Sequence, residues 1–247
     1  IGALNLESDA PGSYSAPDVE LLEFIAAFAA ISIEKAMLHR QVLDIERIEQ
    51  QLRLARHVQS SLLPSGPPDV PGFDLAGTNL PTMEIGGDYL DYLPLDDGHV
   101  GLVIADVSGK GVPAALIMAT FRAALRTELR RLAPIPDVVR DVNRVLIESI
   151  DAARYVTAVY GSLDPADGGF VYANCGHNPP FVLRSRGTIE LLEQGRPALG
   201  MFGDWPTESG SATLEPGDTL VMYTDGVTDL EDPDEREYGI ARLASVV

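Results

Sequence analysis

Residues 100–111 read VGLVIADVSGKG, an apolar run that ends on an aspartate and passes into a glycine-rich turn. The run from Val100 to Ala105 predicts a strand buried on both faces, because a half-exposed strand would alternate apolar and polar residues. Asp106 follows this run directly, and the glycines after it permit a tight turn. The buried strand therefore delivers a carboxylate to one edge of a sheet.

Strands and paired helices surround this run. Hairpin-linked strands interrupted by two consecutive helices favour an antiparallel α+β domain, with helices covering the sheets, over an alternating βαβ fold. The predicted strands are Phe73–Leu80, Ile85–Leu95, Val100–Asp106, Tyr155–Leu163, Phe170–Asn174, Phe181–Arg184, Thr188–Leu192, Ala212–Leu214 and Thr219–Thr224. The predicted helices are Val112–Leu132, Pro136–Ile150 and one that begins near Glu237.

The N-terminal quarter of the sequence is predominantly helical in pattern. A strand over residues 1–6 and a loop containing proline and glycine precede a helix that starts near Asp18. From Leu38 to Leu62 apolar residues recur about every 3.4 positions, near the repeat of a coiled coil. Two interpretations stay open: a signalling coiled coil that dimerises the protein, or an amphipathic helix packed on its own domain. The prolines from Pro64 onward must end this helix and set a domain boundary near residues 65–70.

Composition narrows the function classes. The 247 residues suffice for one large domain plus an extra segment, and no apolar run approaches the roughly 20 residues of a membrane span. Eighteen basic residues against 37 acidic ones give a net charge of −19, a field that repels nucleic acid and anionic lipid. The single cysteine, Cys175, cannot form an internal disulfide, so we expect a cytoplasmic protein. Because the sequence begins with Ile1 rather than methionine, we interpret it as a piece of a longer chain.

Three aspartates beside glycines are the candidate residues for chemistry. Asp88 follows two glycines, Asp106 ends the buried strand, and Asp225 precedes a glycine. Carboxylate oxygens suit a hard cation such as Mg²⁺ or Mn²⁺, whereas carboxylates gathered without a cation repel one another or share protons. A single Asp-Gly step is more often only a turn, so the prediction depends on three such steps in order. Asp229 is a candidate for a supporting role around the same site.

Two further motifs favour structural interpretations. Residues 108–111 lack the spacing and the hydroxyl residue of a nucleotide-binding phosphate loop, although their glycines can present backbone donors to an anion. His177 lies in a polar loop between strands, where it either shuttles protons or, more commonly for such a histidine, makes structural hydrogen bonds. Cys175 is not followed by an arginine loop that could cradle phosphate, which argues against a cysteine phosphatase.

Five motifs taken in order resemble one family, the SpoIIE/RsbU branch of the PPM (type 2C-like) serine/threonine phosphatases. The motifs are RHVQSSLLP (56–64), GGDYLD (86–91), DVSGKG (106–111), NCGHN (174–178) and YTDG (223–226). The resemblance covers roughly residues 50–247. It divides the chain into residues 1–36, similar to the end of a GAF sensory domain, a helical linker over 37–66, and a PPM domain over 67–247.

The resemblance implies a β-sandwich of antiparallel sheets flanked by helices, in αββα layers, with two divalent cations, Mn²⁺ or Mg²⁺, at one end of the sheets. Asp106 would bridge the cations, Asp88 and the Val107 carbonyl would help bind one, and Asp225 would bind the other. A metal-activated water would attack phosphoserine directly, without a phosphoenzyme. Type 2C relatives carry a histidine two residues after the bridging aspartate, where this chain has Ser108.

The resemblance also implies a substrate and a mode of regulation. The substrate would be a phosphorylated anti-sigma-factor antagonist of the STAS type, and the helical linker would couple an upstream sensor to the site and support a homodimer. The family's last metal-binding aspartate lies in a strand after the helix that begins near Glu237, which is beyond Val247. An active phosphatase and a non-catalytic signalling module that binds a partner therefore both remain open.

Overall fold

The computed structural model describes residues 2–5, 7–81, 83–95, 98–129, 133–151, 153–203 and 205–247. The chain divides into two compact units, one ending at Leu54 and one running from Ala55 to Val247. The helices are α1 (Ala16–Ser60), α2 (Gly111–Glu128), α3 (Ile135–Ser149), α4 (Asp225–Thr228) and α5 (Gly239–Val246). The strands are β1 (Tyr89–Pro94), β2 (Val100–Val107), β3 (Val156–Leu163), β4 (Gly169–Cys175), β5 (Phe181–Leu183), β6 (Ile189–Leu191), β7 (Gly195–Arg196), β8 (Gly210–Thr213) and β9 (Thr219–Val221).

Helix α1 is continuous over 45 residues. Its start is fixed by Ser15, whose backbone N–H donates to the Asp18 carboxylate at 2.8 Å and whose hydroxyl donates to the same oxygen. All of α1 is described, and none of its residues is buried. Apolar side chains such as Phe28 and Ile45 are more than half exposed. None of the described helices is both long and apolar enough to cross a bilayer.

The strand predicted for residues 1–6 is wrong where the structure describes it. Residues 2–5 form no regular structure, and Ile1 and Leu6 lie outside the described residues. An isolated strand is unstable because its backbone groups need a neighbouring strand, and residues 2–5 pair with none of the described strands. The similarity of residues 1–36 to a GAF domain stays a prediction.

The larger sheet has the strand order β1-β2-β3-β4-β7, and β8 pairs with the same edge of β4 as β7. Its pairs are antiparallel except β4 with β7, which is parallel, so the sheet is mixed rather than purely antiparallel as predicted. Two strands of the other sheet intervene between β4 and β7, so the chain has reversed direction twice and runs along β4 again. The smaller sheet, β6-β5-β9, is antiparallel.

Strand β2 separates two hydrophobic cores because its side chains alternate between its faces. Val103, Ala105 and Val107 belong to the core that includes the buried faces of α2 and α3. Val100 and Leu102 belong to the core that includes side chains of β5 and β8. The layers therefore run from the helix pair α2 and α3 to the larger sheet and then to the smaller sheet, as predicted for three layers of the αββα arrangement. Each fully buried aliphatic side chain contributes about 1.5–3 kcal/mol.

Several predicted elements are shorter than expected, and one is missing. Residues 73–80 form no strand beyond a single bridge between Val70 and Phe73, although Phe73 and Leu75 still pack on the inter-sheet core. Alternate side chains at the start of residues 73–80 are therefore partly buried, although the backbone of this segment pairs with none of the described strands. Helix α2 ends at Glu128, and the last predicted helical residues, 130–132, lie outside the described residues.

An ion pair between a buried carboxylate and a partly exposed guanidinium fastens α2 to β1. Asp91 of β1 is 2% exposed, and its Oδ2 accepts hydrogen bonds from Arg126 Nε at 2.9 Å and Nη2 at 2.6 Å. The buried Tyr89 hydroxyl donates to the same oxygen. Burial, and then the Asp91 carboxylate, raise the pKa of Tyr89 far above its ordinary value, so this phenol stays a donor. Asp91 is therefore a structural residue, unlike Asp88 three positions earlier.

We expect Asp91→Ala to destabilise the domain by about 3 kcal/mol, because it leaves a buried hydroxyl and a guanidinium without their acceptor. The free energy of unfolding from urea titration measures this effect. Asp69→Ala, at an exposed aspartate before β1, is the matched control and should change that free energy by less than about 0.5 kcal/mol. Equal stabilities of the two variants would contradict the role given to Asp91.

Candidate metal centre

Asp88 and Asp106 meet at one edge of the larger sheet. Tyr89 pairs with Ala105 in the antiparallel ladder of β1 and β2, so Asp88 stands next to Asp106 where the ladder ends. Both side chains are half-buried. Asp225 reaches the same region from the smaller sheet, as the exposed first residue of α4 after β9. Asp225, 137 residues after Asp88, lies close enough for its charge to raise the pKa values of Asp88 and Asp106.

The two half-buried carboxyl groups lie close enough for each to change the pKa of the other. Burial, the charge of Asp88 and then the charge of Asp225 raise the pKa of Asp106 to about 7. Burial also raises the pKa of Asp88, with a further upward contribution from Asp225, against the opposing effect of the hydrogen bond from Asp106. A cation between these oxygens would remove the repulsion between the two carboxylates.

Gly87 lets the Asp88 loop approach the end of β2 closely. A Cβ at position 87 would lie 2.9 Å from the Val107 carbonyl oxygen and 3.0 Å from Val107 Cβ, closer than real Cβ atoms come to such neighbours. Only glycine fits there without a shift of the backbone. The Val107 carbonyl is the oxygen that the family resemblance assigns to a cation, and Gly87 keeps it beside Asp88.

Two amide side chains hold the backbone around Asp88. Gln59, in the last turn of α1, donates from Nε2 to the Gly86 carbonyl at 2.7 Å and accepts from the Gly86 N–H at 3.2 Å. Asn79 donates from Nδ2 to the Asp88 carbonyl at 3.1 Å, while its buried Oδ1 has no hydrogen-bond partner among the described residues. Gln59 belongs to a motif that the sequence singled out without assigning this role, and nothing in the sequence pattern indicated Asn79.

His177 ties the strand beside Asp106 to the segment that leads to Asp225. Its Nε2 lies 3.0 Å from the Tyr223 carbonyl, and because a carbonyl only accepts, Nε2 carries the proton. Nδ1 of the neutral ring then accepts from the Thr157 hydroxyl at 2.9 Å. Burial lowers the pKa of His177 to about 4, despite opposing contributions from Tyr223 and Asp225. With both nitrogens engaged, His177 fits the structural alternative and not the proton shuttle.

The remaining candidates make local contacts. Ser108 accepts from the Tyr155 N–H at 2.9 Å through its hydroxyl and donates its own N–H to the Tyr155 carbonyl at 3.0 Å, which closes the end of β2 against β3. Asp229 donates its backbone N–H to the Asp225 carbonyl at 2.8 Å. Its side chain accepts from the Thr228 hydroxyl at 3.1 Å.

The donor set fits hard divalent cations. The described parts of the chain contain no group of three or more aspartate, glutamate, histidine or cysteine side chains arranged to hold one ion. Mg²⁺, however, commonly binds through one or two carboxylates and keeps several waters, and carbonyl oxygens serve as further ligands. Oxygens of this kind are available from the two carboxyls with raised pKa values, the adjacent Val107 carbonyl and the Asn79 Oδ1, which has no partner among the described residues. The assignment of Asp88, Asp106, Val107 and Asp225 as ligands stays a prediction.

Sequence comparison places this geometry among known proteins. A family model described as Stage II sporulation protein E (SpoIIE) matches residues 96–247. Protein IcfG of Synechocystis sp. is 31% identical over 237 residues, which is 85% of this chain and 37% of that protein. Phosphoserine phosphatase RsbU of Bacillus subtilis is 30% identical over 185 residues, which is 74% of this chain and 55% of that protein. The chain thus spans about a third to a half of the length of these relatives.

Solved structures share the fold. The RsbU and RsbW domains of Rv1364c from Mycobacterium tuberculosis match with a TM-score of 0.62 and 29% identity, over 75% of this chain and 52% of that chain. The SiaA-PP2C domain of Pseudomonas aeruginosa matches with a TM-score of 0.66 and 20% identity, over 81% of each chain. The expected α+β, PP2C-like fold with a long N-terminal helix is therefore confirmed.

We expect Gly87→Ala to weaken Mn²⁺ binding at least tenfold, because the new methyl group pushes the Asp88 loop away from the Val107 carbonyl. Isothermal titration calorimetry with Mn²⁺ measures the affinity. Gly66→Ala is the matched control, since a Cβ there has no atom within 4 Å, and it should bind Mn²⁺ like the parent. If both variants bound Mn²⁺ equally, Gly87 would not shape the site.

Proposed function

Because this chain belongs to the SpoIIE family, we propose that it is a metal-dependent protein phosphatase that hydrolyses phosphoserine on a bacterial regulatory protein. The observation that carries the proposal is the pair of half-buried carboxyls, Asp88 and Asp106, which meet beside the Val107 carbonyl and whose pKa values are both raised. Perturbed acids gathered at one edge of a sheet are typical of functional sites. The relative RsbU, at 30% identity, is named a phosphoserine phosphatase.

The reaction transfers a phosphoryl group to water. The bond between phosphorus and the serine oxygen breaks, a bond from phosphorus to the water oxygen forms, and serine and inorganic phosphate are released. When bound, two Mn²⁺ or Mg²⁺ ions would neutralise phosphoryl charge and lower the pKa of the attacking water. Asp88, Asp106, Asp225 and the Val107 carbonyl would hold these ions.

The other residues of the site hold its backbone segments in position. His177, neutral at pH 7, keeps the segment before Asp225 against β3, and Gln59 keeps Gly86 in place. A covalent cysteine mechanism has no support, because burial raises the pKa of the Cys175 thiol to about 12. Ser108, which stands where type 2C relatives have a histidine, is occupied with Tyr155. We therefore assign no general acid, and the leaving serine oxygen takes its proton from water.

The proposed substrate is a STAS-type anti-sigma-factor antagonist that carries phosphoserine. Its support is the family resemblance together with the similarity to RsbU. The net charge of −19 is consistent with a protein partner rather than nucleic acid.

We expect Asp106→Asn to lower kcat for Mn²⁺-dependent phosphate release from a phosphoserine STAS-domain protein at least 100-fold, because the central ligand loses its charge. Chelation by EDTA should abolish release by the parent, and added Mn²⁺ should restore it. Asp69→Asn, at an exposed aspartate, is the matched control with unchanged kcat. Release that survives EDTA, or equal rates for Asp106→Asn and the parent, would favour the non-catalytic signalling module.

We also propose that the linker regulates the site. The last turn of α1 touches the Asp88 loop through the two Gln59 hydrogen bonds, and Leu62 and Leu63 just after α1 pack on the helix-side core. Earlier in α1, apolar side chains at coiled-coil spacing are about half exposed, among them Leu38, Val42, Ile45 and Ile48. A dimer through this row would bury it, and a change in its packing would reach Gly86 through the helix end.

We expect Leu52→Asp, within the apolar row, to shift the protein from dimer to monomer and to change phosphatase activity at least fivefold, because a charge at a coiled-coil core position opposes pairing. Sedimentation velocity and phosphate release measure the two effects. Gln51→Asp introduces the same residue at an exposed neighbouring position and should alter neither. If Leu52→Asp left both unchanged, the coupling would be wrong.

A further inference from the structure

An exposed aromatic patch lies on the loop that follows β7. Met201, Phe202 and Trp205 are 51%, 45% and 49% exposed, and the Phe202 and Trp205 rings lie 5.6 Å apart between centroids. Trp205 is the only tryptophan of the chain. Ile147, 38% exposed, lies beside this loop, since its Cδ1 is 4.0 Å from where a Cβ on Gly203 would stand. Large side chains exposed together, especially tryptophan and tyrosine, are typical of sites where another protein binds.

Two buried polar side chains fix the backbone of this loop. Asn143, 1% exposed, donates from Nδ2 to the Phe202 carbonyl at 2.8 Å and accepts from the Gly200 N–H at 2.9 Å. Arg196, 5% exposed, donates from Nη2 to the same Phe202 carbonyl at 2.9 Å. A buried amide and a buried guanidinium thus converge on one loop carbonyl. These bonds fix the backbone that carries Phe202 before any partner arrives, which lowers the entropy cost of binding.

The loop starts close to the candidate metal centre. Val107, next to Asp106, pairs with Val156, and Val156 forms a two-bond bridge with Leu199 at 2.9 and 2.8 Å. Neighbouring strands are ~4.8 Å apart, so Leu199 lies about 10 Å across the sheet edge from Val107. A protein that covers about 800 Å² of surface around the site has a footprint of roughly 16 Å radius. Such a footprint includes the beginning of the loop.

Electrostatic repulsion is the reason that an apolar contact would help a phosphorylated protein to bind at the sheet edge that carries Asp106. The chain carries −19, and a phosphoserine adds about −1.5 to −2 to its own protein, so long-range electrostatics oppose the encounter. Apolar burial supplies affinity that does not depend on the sign of the charges and that salt does not screen. An aromatic patch on a loop that begins near the acidic site can therefore add affinity for the phosphorylated protein.

We propose that Phe202 and Trp205, with Met201 beside them, form a docking surface for the folded phosphoprotein substrate. This inference depends on the proposed function, and it locates a contact that recognises the body of the substrate rather than its phosphate. The patch contributes to binding of a protein and contributes nothing to a small phosphate ester that reaches only the metal centre.

The test compares two substrates with Mn²⁺ present: p-nitrophenyl phosphate and a phosphoserine STAS-domain protein. We expect Trp205→Ala and Phe202→Ala to raise KM for the phosphoprotein about tenfold, the loss typical of a central interface residue. Their kcat/KM for p-nitrophenyl phosphate should stay within twofold of the parent. Ile189→Ala, at a 45% exposed residue of β6, is the matched control and should leave both substrates unaffected.

Three outcomes would overturn the docking surface. They are an unchanged KM for the phosphoprotein, an equal loss on both substrates, and a changed sedimentation coefficient of Trp205→Ala, which would assign the patch to self-association. Calorimetric binding of the same phosphoprotein separates this inference from the proposed function. A parent that binds the phosphoprotein more tightly than Trp205→Ala but hydrolyses neither substrate would remove the phosphatase assignment and keep the docking surface.

Discussion

The close approach of Asp88 and Asp106 is an unfavourable contact between two acids that the rest of the domain maintains. Burial, and then the charges of Asp88 and Asp225, raise the pKa of Asp106 to about 7. Tyr89 pairs with Ala105 in the antiparallel ladder of β1 and β2. The next residues, Asp88 and Asp106, therefore stand next to each other where the ladder ends. Strands β1 and β2 fix the positions of Asp88 and Asp106, and the two hydrophobic cores stabilise these strands.

The polar side chains around this pair have one property in common: each joins segments that are distant in the chain. His177 connects β3 to the backbone before Asp225, and Gln59 connects the end of α1 to the loop before Asp88. Asp91 connects β1 to α2 through Arg126. Because each of these side chains satisfies a buried or half-buried group, loss of one leaves a partner without its hydrogen bond. Geometry at the aspartates is thus determined by contacts that themselves take no part in chemistry.

The same sheet edge combines features that suit an anionic protein substrate. In the functions proposed above, the carboxylates would hold cations and the aromatic loop beyond Leu199 would contribute apolar area. Asn143 of α3 and Arg196 of β7 fix the Phe202 carbonyl of that loop. For a chain with a net charge of −19, cations would receive the phosphate and an uncharged surface would receive the protein.

The sequence by itself determined the α+β class, the buried strand β2, the paired helices α2 and α3, and the three aspartates as candidates. Each of these depends on a local signal, namely apolar periodicity or a carboxylate beside glycine. The prediction of a strand at residues 73–80 was wrong, because alternating apolar and polar residues indicate which side chains are buried and not whether a partner strand exists. Only the tertiary structure decided the parallel β7, the contact between Asp88 and Asp106, and the tautomer of His177. Those features join residues such as His177 and Tyr223, 46 positions apart, whose pairing no local pattern records.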